Sequence, residues 1–235
     1  MMASNKITAS IIVPFYNEEL RMKPFLDTLL KYNNPKWEFI LVDDGSKDRT
    51  FSIFKKYKFS NKKIISYNEN KGKGYAIKTG VLAAKGKYII FIDADGSIHP
   101  SQIKNMLKYL NKYDVVVGNR KSKKSDVKVP LFRKLIGIAF NKYANFLFSI
   151  NVDDTLCGFK GFKRKVAKDL FRNLIDNRWI FDVELFYKIR KNNHSLHFLP
   201  IKWEHKDKSK ITLKDVIRMA ITMLILRFKL MKKPA

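Results

Sequence analysis

The chain has 235 residues, 46% of them apolar, and a net charge of +27 at pH 7. This apolar content excludes a disordered chain, and the length sets one large α/β domain or one domain with a modest appendage. A single cysteine, Cys157, excludes a disulfide framework and a cysteine zinc site and fits a reducing compartment, while the charge points to nucleic acid, an anionic membrane surface or phosphorylated ligands as partners.

The first 120 residues alternate between short apolar runs and helical stretches. The segment Ile7–Tyr16 reads as a strand, Glu18–Tyr32 as a helix, and Trp37–Asp44 as a second strand. Ser46–Tyr57 reads as a helix capped by Ser46, Lys63–Asn70 as a strand, and Gly74–Gly86 as a helix closed by Gly86. Lys87–Gly96 is a fourth strand, Pro100–Tyr113 a helix and Asp114–Arg120 a fifth strand. This order predicts an α/β fold with a mainly parallel sheet covered by helices on both faces, and ligands outside the carboxyl ends of the strands.

Beyond Arg120 the texture changes. Lys121–Lys134 reads as a basic, mobile loop, and Leu135–Ile150 is apolar on nearly every side. Asp153–Lys165 suggests turns and a short strand, Phe181–Asn192 a helix, Leu196–Lys206 an edge strand, and Thr212–Lys233 a helix. From Arg120 to Lys165 there are 12 Lys or Arg against 3 acids, so the basic excess is concentrated there. No stretch reaches the roughly 20 apolar residues of a membrane-spanning helix, and the apolar run near the N-terminus is too short for a signal peptide.

Two strands end in paired aspartates, Asp43-Asp44 and Asp93-Ala94-Asp95, on one edge of the expected sheet. Turn formation before Gly45 and Gly96 explains one such pair but not two. Side chains at 93 and 95 point the same way along an extended chain, so both reach one cation. Hard carboxylate oxygens suit Mg²⁺ or Mn²⁺, which takes one or two carboxylates and completes its shell with substrate phosphates.

The stretches "IIVPFYNEE", "LVDDGSKDRT", "NKGKGYAIKTG" and "FIDADG" together resemble the family-2 glycosyltransferases of the GT-A fold. The later "GNR", "DTLCGFKGFKR", "RWIFDVELFYKIRK" and "SK" at 209–210 resemble the branch that glycosylates polyprenyl phosphates, nearest to dolichyl-phosphate β-glucosyltransferases, with the mannose synthases slightly further away. The resemblance spans roughly residues 8–210 and implies a transferase domain over 1–210. Residues 1–120 would be its nucleotide-sugar half and 121–210 its acceptor half, with a basic, apolar C-terminal helix at 211–235.

The resemblance also implies roles. Pro14, Tyr16 and Glu18 would line the nucleotide pocket, Asp43 or Asp44 hold uracil or ribose, and Lys73 approach the nucleotide. Asp93 and Asp95, flanking Ala94, would carry the metal on the donor pyrophosphate, while Arg120 and Lys210 neutralise phosphates. Mannose synthases carry an arginine upstream of "SK"; here "WEHKDKSK" has none, which leaves His205 or Lys206 as substitutes. Asp182 stands where the family places a general base. A phosphate acceptor, with a second pKa of about 6, is largely a dianion at neutral pH, so Asp182 either deprotonates or orients.

The expected activity is thus inverting transfer of a hexose, from UDP-glucose, to a polyprenyl (dolichyl) phosphate on the cytoplasmic face of a membrane. The alternatives are a GDP-mannose donor or an acceptor that is not a lipid. Lys121, Lys123, Lys124, Lys128, Arg133 and Lys134 would meet anionic headgroups while 135–148 dips into the interface. Nucleic acid is not expected as a partner, because no groove-reading helix or aromatic platform motif appears and unmetallated carboxylates repel phosphate.

Overall fold

The computed structural model describes residues 7–128, 131–204 and 213–232. Its main sheet contains β1 (Ala9–Phe15), β2 (Trp37–Asp43), β3 (Lys62–Ser66), β4 (Tyr88–Ile92), β5 (Val115–Asn119), β7 (Phe159–Lys163) and β8 (Leu196–Pro200). Their spatial order is β3-β2-β1-β4-β7-β5-β8. A two-stranded ribbon pairs β6 (Asp126–Lys128) with β9 (Lys202–Glu204) in parallel. The helices are α1 (Met22–Leu30), α2 (Thr50–Lys55), α3 (Lys73–Ala83), α4 (Gln102–Leu110), α5 (Leu131–Phe148), α6 (Arg164–Arg172), α7 (Phe181–Lys191) and α8 (Leu213–Lys232).

Strands β1, β2 and β4 are apolar at nearly every position because both faces of the sheet are covered. Successive side chains alternate between two cores, as the two-residue period of a strand requires. Ile12, Ile40, Val42, Ile89 and Phe91 pack with α3, α5, α6, α7 and α8, whereas Ile11, Val13, Phe39, Leu41, Ile90 and Ile92 pack with α1, α2 and α4. The sheet is parallel except at β7, which runs antiparallel to both β4 and β5. Because Ile92 pairs with Phe159, the turn that leads into β7 lies beside the carboxyl end of β4.

Several expectations need correction. The first helix starts at Met22 rather than Glu18, because Glu18 is drawn into a turn in which its carboxylate accepts two bonds from Arg21. Ser46 does not cap α2, which starts only at Thr50; its hydroxyl accepts the Asn17 amide, and the Asp48 carboxylate takes the Thr50 amide. Gly86 does not close α3, which ends at Ala83; a Cβ there would fall 2.5 Å from the Ser10 nitrogen, so it serves the crossing with β1.

The basic stretch after Arg120 is not a loop throughout. It contributes β6, and α5 begins at Leu131. The strand expected over 196–206 divides at Ile201, with β8 joining the main sheet and β9 leaving it to pair with β6. Helix α6 had no counterpart in the sequence reading.

Helix α8 is apolar on two sides. Met219, Met223, Leu226 and Leu230 are buried in the core that α5 and α7 share, whereas Ile217, Ile221, Leu224, Phe228 and Met231 are exposed. No helix among the described residues is long and apolar enough to cross a membrane. Leu226→Ala should cost about 2–4 kcal/mol, as large-to-small core changes do. Phe228→Ala should stay within about 0.5 kcal/mol, as exposed changes do. Urea denaturation of the two variants measures the difference.

Candidate active site

The strand order reverses between β1 and β4, so the crevice of this doubly wound sheet opens at their carboxyl ends. Pro14 lies at the end of β1, with Tyr16 and Glu18 just beyond it; all three are half-buried. Asp43 ends β2 directly opposite Phe15.

Both aspartates of the β2 tip are committed to local structure. Asp43 accepts the Ser46 amide at 3.1 Å and the Ser66 hydroxyl at 3.1 Å. Asp44 accepts the Asn70 side-chain amide at 2.7 Å, the Lys71 backbone amide at 2.9 Å and the Gly72 backbone amide at 2.9 Å. Burial pushes the Asp44 carboxyl above its ordinary range, and the Lys71 and Gly72 amides oppose the shift. Asp44 thus fixes the loop that delivers Lys73 to the first position of α3.

The turn from Asn70 to Gly74 is closed from the other side by residues 176–178. The Gly74 amide donates to the Arg178 carbonyl at 3.1 Å and the Tyr75 amide to the Asn177 carbonyl at 2.9 Å. A Cβ at Gly72 would lie 2.5 Å from the Asn177 carbonyl oxygen, and Gly72 has a φ of 102°, so this position requires glycine. The glycines of "NKGKGY" therefore serve a loop crossing, and the Gly74 and Tyr75 amides of α3 are spent on carbonyls.

At the β4 tip the charges alternate. Lys73 Nζ lies 2.6 Å from Asp93 Oδ1, and Asp95 accepts the Ser97 amide at 2.9 Å. Arg120, just past β5, forks onto Asp154, with Nε 2.9 Å from Oδ2 and Nη2 2.6 Å from Oδ1, and stacks 5.5 Å from the Trp203 ring. Burial works against the Arg120 guanidinium, but Asp154 outweighs it and holds its pKa above the ordinary value.

Lys160 of β7 is 1% exposed, between the rings of Phe91 and Phe186. Its ammonium donates to Asp182 Oδ1 at 2.6 Å, the Cys157 carbonyl at 2.7 Å and the Thr155 carbonyl at 3.1 Å, which uses its three protons. Asp182, in the first turn of α7, is itself buried. Burial pushes the Asp182 and Asp93 carboxyls upward, and Lys160 and Lys73 oppose the shift. Burial also pushes the Cys157 thiol up to about 12, so Cys157 is no nucleophile.

Gly158 makes this arrangement possible. The Asp93 amide donates to the Gly158 carbonyl at 3.1 Å, and a Cβ at Gly158 would lie 1.9 Å from Asp93 Oδ2. The Asp93 carboxylate passes through the space that any side chain at 158 would fill.

Among the expected residues, the structure gathers Lys73, Asp93, Ala94, Asp95, Arg120 and Asp182 around the ends of β4 and β5. It sets Asp43 and Asp44 at the neighbouring tip of β2. Lys210, with His205 and Lys206, lies outside the described residues. Sequence reasoning missed Asp154, Gly158 and Lys160 as parts of the site, although all three stand in "DTLCGFK". In "GFKGFK" nothing distinguishes Lys160 from Lys163 until the partners of β7 are known.

No group of three or more His, Cys, Asp or Glu suited to a metal occurs among the described residues. Asp93 and Asp95 are two hard carboxylates at one strand tip. That donor set fits a Mg²⁺ or Mn²⁺ that completes its shell with phosphate oxygens and water, and does not form an all-protein cage.

Gly158→Ala must displace the Asp93 carboxylate, and misplacement by about 1 Å is enough to cost about a hundredfold in rate. Activity of this variant should fall by at least that factor while its circular dichroism spectrum stays that of the parent.

The family described as "Glycosyl transferase family 2" matches residues 10–171. Dolichyl-phosphate β-glucosyltransferase ALG5D of Trichomonas vaginalis is 35% identical over 238 residues, covering 93% of this chain and 72% of that protein. The dolichyl-phosphate β-glucosyltransferase of Dictyostelium discoideum is 33% identical, covering 96% of this chain and 75% of its own length. The human protein of the same name is also 33% identical, with 86% and 69% covered. In fold, the chain is similar to glucosyl-3-phosphoglycerate synthase from Mycobacterium tuberculosis in complex with Mn²⁺, UDP and glucosyl-3-phosphoglycerate. The TM-score is 0.70 at 18% identity, with 94% of this chain and 79% of that one covered. With the strand order, the crevice and these relatives together, the chain belongs to glycosyl transferase family 2 and has the GT-A fold.

Proposed function

We propose that this chain transfers glucose from UDP-glucose to dolichyl phosphate, with inversion, at a membrane surface. The observation that carries the reading is its similarity, at 31–35% identity over 86–96% of its length, to relatives named dolichyl-phosphate β-glucosyltransferase.

The donor would lie in the β1/β4 crevice, its nucleoside among Pro14, Tyr16, Glu18 and the Asp43–Asp44 tip, and its diphosphate toward Asp93 and Asp95. Those two carboxylates would hold Mg²⁺ or Mn²⁺, which when bound supplies Lewis-acid stabilisation of the leaving diphosphate. Arg120 adds a guanidinium whose direction is fixed by its fork onto Asp154, so it needs no reorganisation as charge develops on the leaving group. Lys73 supplies a second cation, and Lys210 a third from the segment after β9.

The acceptor needs no strong base, because its phosphate is already largely ionised. The burial of Asp182 and its bond to Lys160 favour an orienting role over proton abstraction. At the acceptor end, Phe146 of α5 is 83% exposed, and the exposed stripe 217-221-224-228-231 of α8 shares its helix with the exposed Arg218, Lys229 and Lys232. Exposed apolar side chains bordered by cations suit the headgroup–acyl boundary of an anionic bilayer. The exposed Lys121, Lys123 and Lys124 add to that attraction.

The donor test is a panel of radiolabelled UDP-glucose, UDP-N-acetylglucosamine and GDP-mannose with dolichyl phosphate, read as organic-extractable product. UDP-glucose should dominate, and chelator or Asp93→Asn should abolish transfer. Dominance of GDP-mannose would move the enzyme to the mannose branch.

The membrane test uses vesicles containing phosphatidylserine. The double variant Ile221→Asp/Phe228→Asp should bind them much more weakly than the parent, and high salt should release only part of the parent protein. Equal binding by parent and variant would place the attachment away from α8.

A further inference from the structure

The Lys73–Asp93 ion pair carries a consequence for how cation and nucleotide bind. We propose that the Lys73 ammonium is the resident counter-ion of the carboxylates at the β4 tip, and that its displacement couples binding of a divalent cation to binding of a nucleoside diphosphate. The proposal rests on the reading of Asp93 and Asp95 as the cation's ligands.

The backbone around Lys73 is fixed. Asp44 ties down the Asn70 side chain and the Lys71 and Gly72 amides, and the Gly74 and Tyr75 amides are held by the carbonyls of residues 178 and 177. The side chain, by contrast, has four rotatable bonds and ends 2.6 Å from Asp93 Oδ1 and 5.9 Å from the Trp179 ring. Its ammonium also feels Asp95 and Asp182. Its charge can therefore be turned away from Asp93 without moving the backbone that carries it.

A divalent cation held by Asp93 and Asp95 would share the Asp93 carboxylate with that ammonium, and two cations close together repel strongly where water is scarce. A cation arriving alone must either tolerate Lys73 or push it off its partner, which leaves a part-buried ammonium without its carboxylate. A diphosphate removes that cost, because its oxygens accept the displaced ammonium while also completing the cation's shell. Cation and diphosphate then strengthen one another's binding, and by linkage the coupling is reciprocal.

The experiment titrates Mn²⁺ into the whole chain and follows free Mn²⁺ by electron paramagnetic resonance, with and without UDP, so that no turnover is needed. In the parent, Mn²⁺ alone should bind weakly and UDP should strengthen it. Lys73→Met should bind Mn²⁺ alone about tenfold more tightly than the parent, with the UDP enhancement reduced by a similar factor, within the usual range of such couplings. Lys73→Arg, which keeps the charge, should bind Mn²⁺ alone like the parent. Thermal melts check that each variant is folded, and Lys73→Gln replaces Lys73→Met should the latter not fold.

If Mn²⁺ alone binds Lys73→Met no more tightly than the parent, the counter-ion role is overturned. The ligand assignment is tested separately by Asp93→Asn with UDP present. Loss of Mn²⁺ binding in that variant upholds Asp93 as a ligand. Unchanged binding overturns the ligand assignment and the counter-ion role with it.

Discussion

The Asp93 carboxylate stands at the carboxyl end of a strand buried on both faces, where an uncompensated charge is costly. Its surroundings are arranged around that cost. The antiparallel β7 brings Gly158 against it, and the missing Cβ gives the carboxylate room. Lys73 reaches it from α3, and Lys160 enters from β7 at longer range. Lys73 comes from α3 and Lys160 from β7, so the compensated tip of β4 needs both elements in place.

Those elements are themselves joined through charges. Lys160 links Asp182 of α7 to the carbonyls of the turn that contains Asp154, and Asp154 fixes Arg120 at the end of β5. On the far side, Asp44 at the tip of β2 holds the loop from which Lys73 extends. A chain of ion pairs and capped loops thus runs across β2, β4, β7 and β5 along one sheet edge. Buried pairs of this kind rarely stabilise more than a well-packed apolar substitute would. Their presence here, on the edge where a ligand crevice must lie, is better explained by function than by stability.

Much of this was legible in the sequence, and the exceptions have physical causes. The parallel strands announced themselves because a strand buried on both faces is apolar at every position. The carboxylates at their tips stood out for the same reason, as charges where none should be buried. The role of Lys160 was hidden because a lysine in "GFKGFK" reads as solvated until β7 is known to lie between β4 and β5. Ser46 misled because a serine before a helix is an ordinary cap, whereas here the competing acceptor site is filled by Asp48 and the hydroxyl serves Asn17. The stretch after Arg120 read as a loop because its strand β6 has three residues, and its partner β9 lies far along the chain.

The crevice differs from the rest of the surface in how its charges are matched. Within the crevice the cations are matched: Lys73 by Asp93, Arg120 by Asp154, and Lys160 by Asp182. These three pairs sum to no net charge, so they contribute nothing to the excess of +27. The excess lies elsewhere, on exposed lysines such as Lys121, Lys123 and Lys124 and along α8 beside its exposed apolar stripe. A site whose cations are already paired offers a diphosphate discrete partners and little long-range pull. Exposed cations next to exposed apolar side chains would attract an anionic surface from a distance and hold it by burial, two effects that respond differently to salt. The excess is not confined to one part of the chain: residues 1–120 carry 21 Lys or Arg against 11 acids and residues 121–235 carry 27 against 10, so the matched pairs of the crevice are a local exception in a basic molecule.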